Sequence, residues 1–125
     1  MLVVASPPIA GRSGVLPVVR LHVAPLAGRG FGWVDDDLDD LMLRRHDFQL
    51  EDADDYGLGD DDVAYRRYAH RHGVHDLICE RWAWEVPAAG CALTLEATCA
   101  REDYADFCDV FEEIAASCRP HALAA

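Results

Sequence analysis

The sequence predicts an α+β fold in which an antiparallel β-sheet is flanked by helices. Two observations between Gly73 and Pro120 carry the prediction. Two segments with alternating side-chain type follow one another across a short turn, and connections that short force neighbouring strands to run antiparallel. An amphipathic segment comes next, and its wide apolar stripe must pack on a flat apolar surface. The 125 residues are expected to form one domain, because a chain of this length can bury a sizeable core.

The first part of the chain is expected to contribute a strand and a helix. Val15–Val23 is β-branched, with its charged and apolar residues on alternate sides, which favours a strand. Trp33–His46 places apolar residues at the spacing of one helix face. The helix dipole favours negative charge in the first turn, and the first turn of this predicted helix contains three aspartates. Its aspartates are Asp35, Asp36 and Asp37.

An acidic segment follows this helix. Phe48–Glu51 is expected to form a short strand, and Asp52–Asp62 is interpreted as a solvated loop because two glycines interrupt its aspartates. Thirteen of the 23 acidic residues lie between positions 35 and 62, so negative charge is expected on one part of the surface. The segment does not match a calcium-binding loop, since Tyr56 and Val63 stand where oxygen ligands are needed.

The second part of the chain is expected to form a three-stranded meander followed by a helix. The closing helix, Glu102–Cys118, has apolar residues at i, i+3, i+4 and i+7, and Pro120 cannot extend it. We expect this helix to cover the sheet face that carries Leu93 and Leu95. The three predicted strands are Val63–Arg71, His75–Val86 and Cys91–Cys99.

Aromatic side chains are the candidate contacts for a protein partner. Trp82 and Trp84 stand two apart on one strand, so their rings are adjacent on one sheet face. Such a pair is more often core beneath a helix than an exposed anchor. If the closing helix covers Leu93 and Leu95, the tryptophans need the first helix or a partner to cover them. The predicted partner-binding residues are Trp82, Trp84, Tyr65, Tyr68, Asp35, Asp36 and Asp37.

The sequence contains no recognisable catalytic constellation. Its serines and cysteines stand in neither a GxSxG nor a Cys–His signature, so no enzyme and no cofactor are expected. The five cysteines are odd in number, with no CxxC pair, and most of them are interpreted as small buried side chains in a reducing cytoplasm. His70, His72 and His75 surround a turn and could converge on a metal, but no second ligand cluster supports that alternative.

Composition limits the class of partner. The formal net charge is −12, and phosphate binding needs positive surface, so nucleic acid is not expected. A cationic protein surface suits this charge, although acidity that only maintains solubility is the alternative. The opening residues lack a basic leader, and no run reaches the ~20 apolar residues that a membrane span needs. The expected location is the cytoplasm, with no membrane partner.

The segment DVAYRRYAHRHGVHDLICERWAWEVPAAGCALTLEATCAREDYADFCDVFEEIAASCRP resembles the C-terminal half of the PsbP/Mog/LpqN-like superfamily. The earlier segment VVRLHVAPLAGRGFGWVDDDLDDLMLRRHDFQLED is similar to the strand, aspartate-rich helix and short strand of that family. The resemblance implies an α/β/α sandwich of PsbP-like type and a non-enzymatic binding role. Members include PsbP, Ran-binding Mog proteins, LpqN-type lipoproteins and chaperones that hold type VI secretion effectors.

The resulting hypothesis is a protein-binding module, an adaptor or chaperone for a basic or secreted protein. In it, an apolar aromatic patch combines with acidic steering of the partner. One alternative is an immunity-type inhibitor whose acidic surface at Asp35–Asp62 blocks the cationic site of a toxin. A second is a metal-binding protein that uses His70, His72 and His75.

Overall fold

The structure, a computed structural model, describes residues 2–7, 11–29, 32–59 and 61–124. Short 3-10 helices follow the last two strands and the final helix. Within the described ranges the strands are β1 Leu2–Ala5, β2 Val18–Pro25, β3 His46–Leu58, β4 Asp61–His72, β5 His75–Val86 and β6 Cys91–Ala100, and the helices are α1 Trp33–Arg44 and α2 Tyr104–Ser117.

The strands form one antiparallel sheet in the order β1-β2-β6-β5-β4-β3. The predicted meander is its centre, because β4, β5 and β6 are neighbours in sequence and in space. β2 lies on the far side of β6 and begins at Val18 rather than Val15, directly after the buried Pro17. Proline lacks the N–H that a ladder requires, which accounts for this later start. The predicted α+β fold with an antiparallel sheet is confirmed.

β3 replaces the predicted acidic loop at Asp52–Asp62. Its thirteen residues run from His46 to Leu58 and pair with β4, with irregular register near Gln49 and Asp52. β3 is the last strand of the sheet, and solvent can hydrate an edge strand that is charged on both sides. That is why this strand lacks the alternation on which the prediction depended. Asp60 lies outside the described residues.

Trp82 and Trp84 are core residues, only 1% and 2% exposed. The β5–β6 register places Trp82 opposite Leu95 and Trp84 opposite Leu93, and directly opposite residues share a sheet face. The helix that covers the leucines therefore covers the tryptophans too, through side chains that include Phe111. The core interpretation is confirmed, whereas the expectation that a different element or a partner must cover the rings is wrong.

The first helix packs through a separate set of side chains. Leu38 and Leu41 of α1 form a cluster with Tyr68 and Cys79. At the start of α1, Trp33 packs with alanines of β5 and β6, and its indole Nε1 donates a hydrogen bond to Glu85 at 2.7 Å. None of the described helices is long and apolar enough to cross a membrane.

Candidate functional site

A cleft of about 420 Å³ lies between α2 and the edge of the sheet. α2 packs on β5 and β6, and the same side of β3 and β4 extends beyond the helix. We call this space the acidic cleft. It is lined by Asp52, Asp54 and Tyr56 of β3, Tyr65 and Arg67 of β4, Glu80 and Trp82 of β5, and Tyr104, Cys108 and Glu112 of α2.

Strand register arranges the residues that the sheet contributes to the acidic cleft in two rows. One row is Asp54, Tyr65 and Trp82, and the other is Asp52, Arg67 and Glu80. Directly opposite residues of antiparallel strands lie side by side on one face. The sheet side of the cleft therefore consists of residues that point to the same face of β3, β4 and β5.

Glu80 is the most unusual residue of the acidic cleft, because it is a carboxylate that is only 5% exposed. Its Oε2 accepts a hydrogen bond from the Tyr65 hydroxyl at 2.5 Å. Its Oε1 is buried and makes no hydrogen bond of normal geometry with any described residue. Burying a charged group without full hydrogen bonding is unfavourable. Glu80 is thus held in a state that an additional donor would stabilise.

Burial also determines the protonation of this site. It raises the pKa of Glu80, an effect that the hydrogen bond from Tyr65, the neighbouring Tyr104 hydroxyl and the charge of Arg67 partly offset. Burial likewise raises the pKa of Tyr65, and its hydrogen bond to Glu80 raises it further. The Tyr65 hydroxyl therefore stays protonated and serves as a donor at neutral pH.

Aromatic rings form one wall of the acidic cleft. The ring centroids of Tyr65 and Trp82 lie 5.3 Å apart, and those of Tyr56 and Tyr65 lie 6.3 Å apart. The Trp82 indole Nε1 donates a hydrogen bond to the Tyr56 hydroxyl at 3.0 Å, which fixes the two rings relative to each other. Aromatic faces attract cations. The wall adds to the attraction that the carboxylates exert.

The charges of the acidic cleft are unbalanced. Four carboxylates line it, against a single guanidinium, that of Arg67. The Arg67 Nε lies 3.6 Å from Glu51 Oε1, and the guanidinium lies 5.9 Å from the Tyr104 ring centroid. A concave site with excess charge of one sign attracts the opposite sign. The cleft is suited to a cationic group.

The predicted partner-binding residues do not form one patch. Tyr65 lies in the acidic cleft, whereas Tyr68 is buried and donates a hydrogen bond to Glu96 Oε2 at 2.9 Å. The proposed surface of Trp82 and Trp84 is corrected by their burial beneath α2. An alternating strand can place a ring under a helix as easily as on the surface, and only the pairing register decides between the two.

The three aspartates of α1 that were predicted to contact a partner differ in the charge that they present. Asp35 Oδ1 accepts a hydrogen bond from Arg66 Nε at 3.1 Å. Asp37 Oδ2 lies 3.3 Å from Arg29 and 3.1 Å from Arg81. Asp36 is exposed and makes no ion pair with any residue in the described ranges. Partner contact by these residues stays a prediction, for which Asp36 is the most available side chain.

Glu80, Tyr104 and Glu112 are site residues that the sequence analysis did not identify. A signal for Glu80 was present, because it occupies the same parity as Ile78 and Trp82 on β5. An acidic residue at an inward position of an alternating strand requires a partner or a function. Tyr104 and Glu112 carry no comparable signal, since their position over the cleft depends on how α2 docks.

The histidine cluster does not converge. His70 is buried, with its Nε2 3.6 Å from the Cys79 sulfur, while His72 and His75 are exposed and opposite each other at the hairpin. In the described parts of the chain, no three histidine, cysteine or acidic side chains are arranged to hold a metal ion. Burial raises the pKa of Cys79 to about 11, so this thiol is protonated beside His70 at neutral pH.

No protein-family model and no curated protein matches this sequence. Among solved structures, the chain is similar to PA94 from Pseudomonas aeruginosa, a protein of unknown function suggested to be a regulator, with a TM-score of 0.80 and 14% identity over 96% of this chain and 83% of that one. It is also similar to cyanobacterial PsbP (CyanoP) from Synechocystis sp. PCC 6803, with a TM-score of 0.58 and 10% identity over 93% of this chain and 79% of that one. At these identities the likeness shows a PsbP-like fold.

Proposed function

We propose that this protein is a non-enzymatic, cytoplasmic protein-binding module, an adaptor or chaperone that holds a basic or secreted protein through the acidic cleft. In this proposal α1 and α2 form the outer layers of an α/β/α sandwich. The observation that carries it is the excess of carboxylates in an aromatic-walled cleft at the sheet edge. A cationic segment of a partner supplies the charge that this cleft lacks.

Much of the charge of this surface is available for a partner. Asp52 and Asp54 are exposed on β3 and make no ion pair with another described residue. The net charge of −12 extends the field around them, and such a field raises association rates with an oppositely charged partner. Long-range attraction by the surface and short-range contact in the cleft therefore favour the same class of partner.

Tyrosines replace the tryptophans in this mechanism. Tyr56, Tyr65 and Tyr104 are each half-buried along the acidic cleft, so each combines an accessible ring with a fixed position. Tyrosine is favoured at protein interfaces because its ring buries apolar area while its hydroxyl keeps a hydrogen bond. The aromatic contacts in this proposal therefore come from β3, β4 and α2 rather than from the tryptophans of β5.

The two buried thiols, Cys79 and Cys99, are poorly suited to nucleophilic catalysis. Burial raises the pKa of Cys79 to about 11 and that of Cys99 to about 12. The thiolate is the reactive form of cysteine, and a raised pKa reduces its fraction at neutral pH. Cys79 and Cys99 are core residues, whereas Cys91, Cys108 and Cys118 are only half-buried, so the expectation that most of the cysteines are buried is wrong.

Affinity capture from the native host tests the proposal. The wild type is compared with Asp52→Asn/Asp54→Asn, which removes two negative charges from the acidic cleft. The control, Asp109→Asn/Glu113→Gln, removes two charges from exposed positions of α2 outside the cleft. We expect a prey protein with a basic segment that the cleft variant loses, that the control retains, and that is released by added salt. Equal capture by both variants, or a prey without basic character, would overturn the proposal.

A further inference from the structure

We infer that the acidic cleft binds an arginine side chain of the partner, with Glu80 as its counter-ion. This inference rests on the proposed function and names the group that the cleft recognises. It depends on one atom, the buried Oε1 of Glu80, which makes no hydrogen bond of normal geometry with any described residue. A guanidinium supplies both the positive charge and the hydrogen-bond donors that this oxygen lacks.

The surroundings of Glu80 are already prepared for a charged donor. Its other oxygen is fixed by the Tyr65 hydroxyl at 2.5 Å, so the carboxylate has little freedom to turn away. A ligand that completes the hydrogen bonding of a preorganised, buried carboxylate gains more than one that contacts a hydrated surface acid. Tyr104 borders the carboxyl and is half-buried, so we expect its side chain to move when a ligand reaches Oε1.

Arginine suits this site better than lysine for two reasons. A guanidinium is more weakly hydrated than an ammonium group, so it loses less on entering a site where the carboxylate is buried. It is also planar and stacks on aromatic rings, and Arg67 already lies over the Tyr104 ring in the same cleft, 5.9 Å from its centroid.

Arg67 does not already fill this role. Its Nε lies 3.6 Å from Glu51, and it makes no hydrogen bond of normal geometry to Glu80. Three further carboxylates, Asp52, Asp54 and Glu112, line the cleft and offset the repulsion between Arg67 and an entering cation.

The test is a titration of ¹⁵N-labelled protein with the peptide acetyl-Gly-Arg-Gly-amide, followed by amide chemical shifts. Peptides with citrulline or lysine in place of arginine are titrated in parallel, since citrulline keeps the shape and loses the charge. We expect shifts at Tyr65, Glu80 and Tyr104, weaker binding of the lysine peptide, and no saturable binding of the citrulline peptide. Equal binding of the citrulline peptide, or shifts confined to other surfaces, would contradict the inference.

The variant Glu80→Gln removes the charge and nearly preserves the shape. We expect it to weaken binding of the arginine peptide about tenfold or more, because it leaves a guanidinium buried without a counter-charge. Glu112→Gln on the cleft wall should weaken binding roughly threefold. Glu113→Gln, the next residue of α2 and outside the cleft, should have no effect. If Glu80→Gln does not fold, the comparison of Glu112→Gln with Glu113→Gln decides, and equal effects overturn the inference.

Failure of this inference is distinguishable from failure of the proposed function. If host prey depends on Asp52 and Asp54 but Glu80→Gln binds both prey and arginine peptide normally, the binding module stands and the arginine site is wrong. If no basic prey is captured by any form of the protein, the proposed function itself is wrong.

Discussion

The hydroxyl of Ser13 donates a hydrogen bond to the carboxylate of Asp103, which lies ninety residues later in the chain and is completely buried. The Ser13 backbone N–H adds a second hydrogen bond to Asp103 Oδ1 at 3.3 Å. The segment before β2 is thereby fixed to the residue that precedes α2. Since α2 forms one wall of the acidic cleft, this contact helps to position the cleft.

Asp103→Ala should destabilise the protein by about 1–3 kcal/mol, because it leaves the half-buried donors of Ser13 without their acceptor. The matched control is Asp106→Ala, whose ion pair with Arg12 is exposed on both sides, at a distance of 3.4 Å. Exposed pairs contribute little, so a loss of about 0.5 kcal/mol or less is expected for the control. Urea unfolding measures both, and similar midpoints for the two variants would show that the buried contact is unimportant.

Gly11→Ala should be destabilising by about 1–3 kcal/mol through a direct clash. A Cβ at this position would lie 2.5 Å from Asp103 Cγ, and the carboxylate cannot move without losing its contacts with Ser13. Gly57→Ala is the control, since nothing lies within 4 Å of a Cβ at that position. Thermal unfolding compares the two variants. An unchanged melting temperature for Gly11→Ala would mean that the Asp103 side chain can move without a loss of stability.

Trp82→Ala should lower the free energy of unfolding by about 3–5 kcal/mol, because it removes a buried ring from beneath α2. Leu43→Ala is the comparison for an apolar side chain outside the core, since Leu43 is 84% exposed, and it should change stability by about 0.5 kcal/mol or less. Chemical denaturation followed by circular dichroism gives both values. A fully stable Trp82→Ala protein would contradict the assignment of Trp82 to the core and would favour its contact with a partner.

The parts of the fold that could be predicted are those in which the two sides of an element differ. α2 has one face against the core, and β5 and β6 carry larger apolar side chains beneath α2 than on the face toward α1, so their periodicity is visible in the sequence. β3 has no such signal, because Asp52 and Asp54 face the open cleft and Asp55 is also exposed. Its strand character comes from pairing with β4, a tertiary contact.

The candidate site was less predictable for a related reason. Tyr65 was identified by its residue type. Glu80 can be recognised as a site residue only once the strands are aligned and Arg67 lies beside it. The position of Tyr104 depends in addition on the docking of α2 over that row. Register and docking are properties of the whole sheet, which residue periodicity along one segment does not determine.

The stability contributed by Glu80 should decrease as the pH rises. Burial raises the pKa of Glu80 in the folded protein, so the folded state holds a proton that the unfolded state has already released in the interval between the two pKa values. Stability therefore falls with increasing pH in that interval, which begins near the ordinary glutamate pKa and ends at the raised one. Glu80→Gln does not titrate and should lack this component.

Urea unfolding of both proteins at a series of pH values from acidic to neutral isolates this effect, because the other carboxylates contribute to both and cancel in the difference. We expect the wild type to lose stability relative to Glu80→Gln as the pH rises above the ordinary glutamate pKa of about 4. The opposite slope would mean that Tyr65, Tyr104 and Arg67 outweigh burial and lower the pKa of Glu80 below its usual range. In that case its carboxylate would already be fully stabilised within the chain, and the reason for it to accept a guanidinium from a partner would disappear.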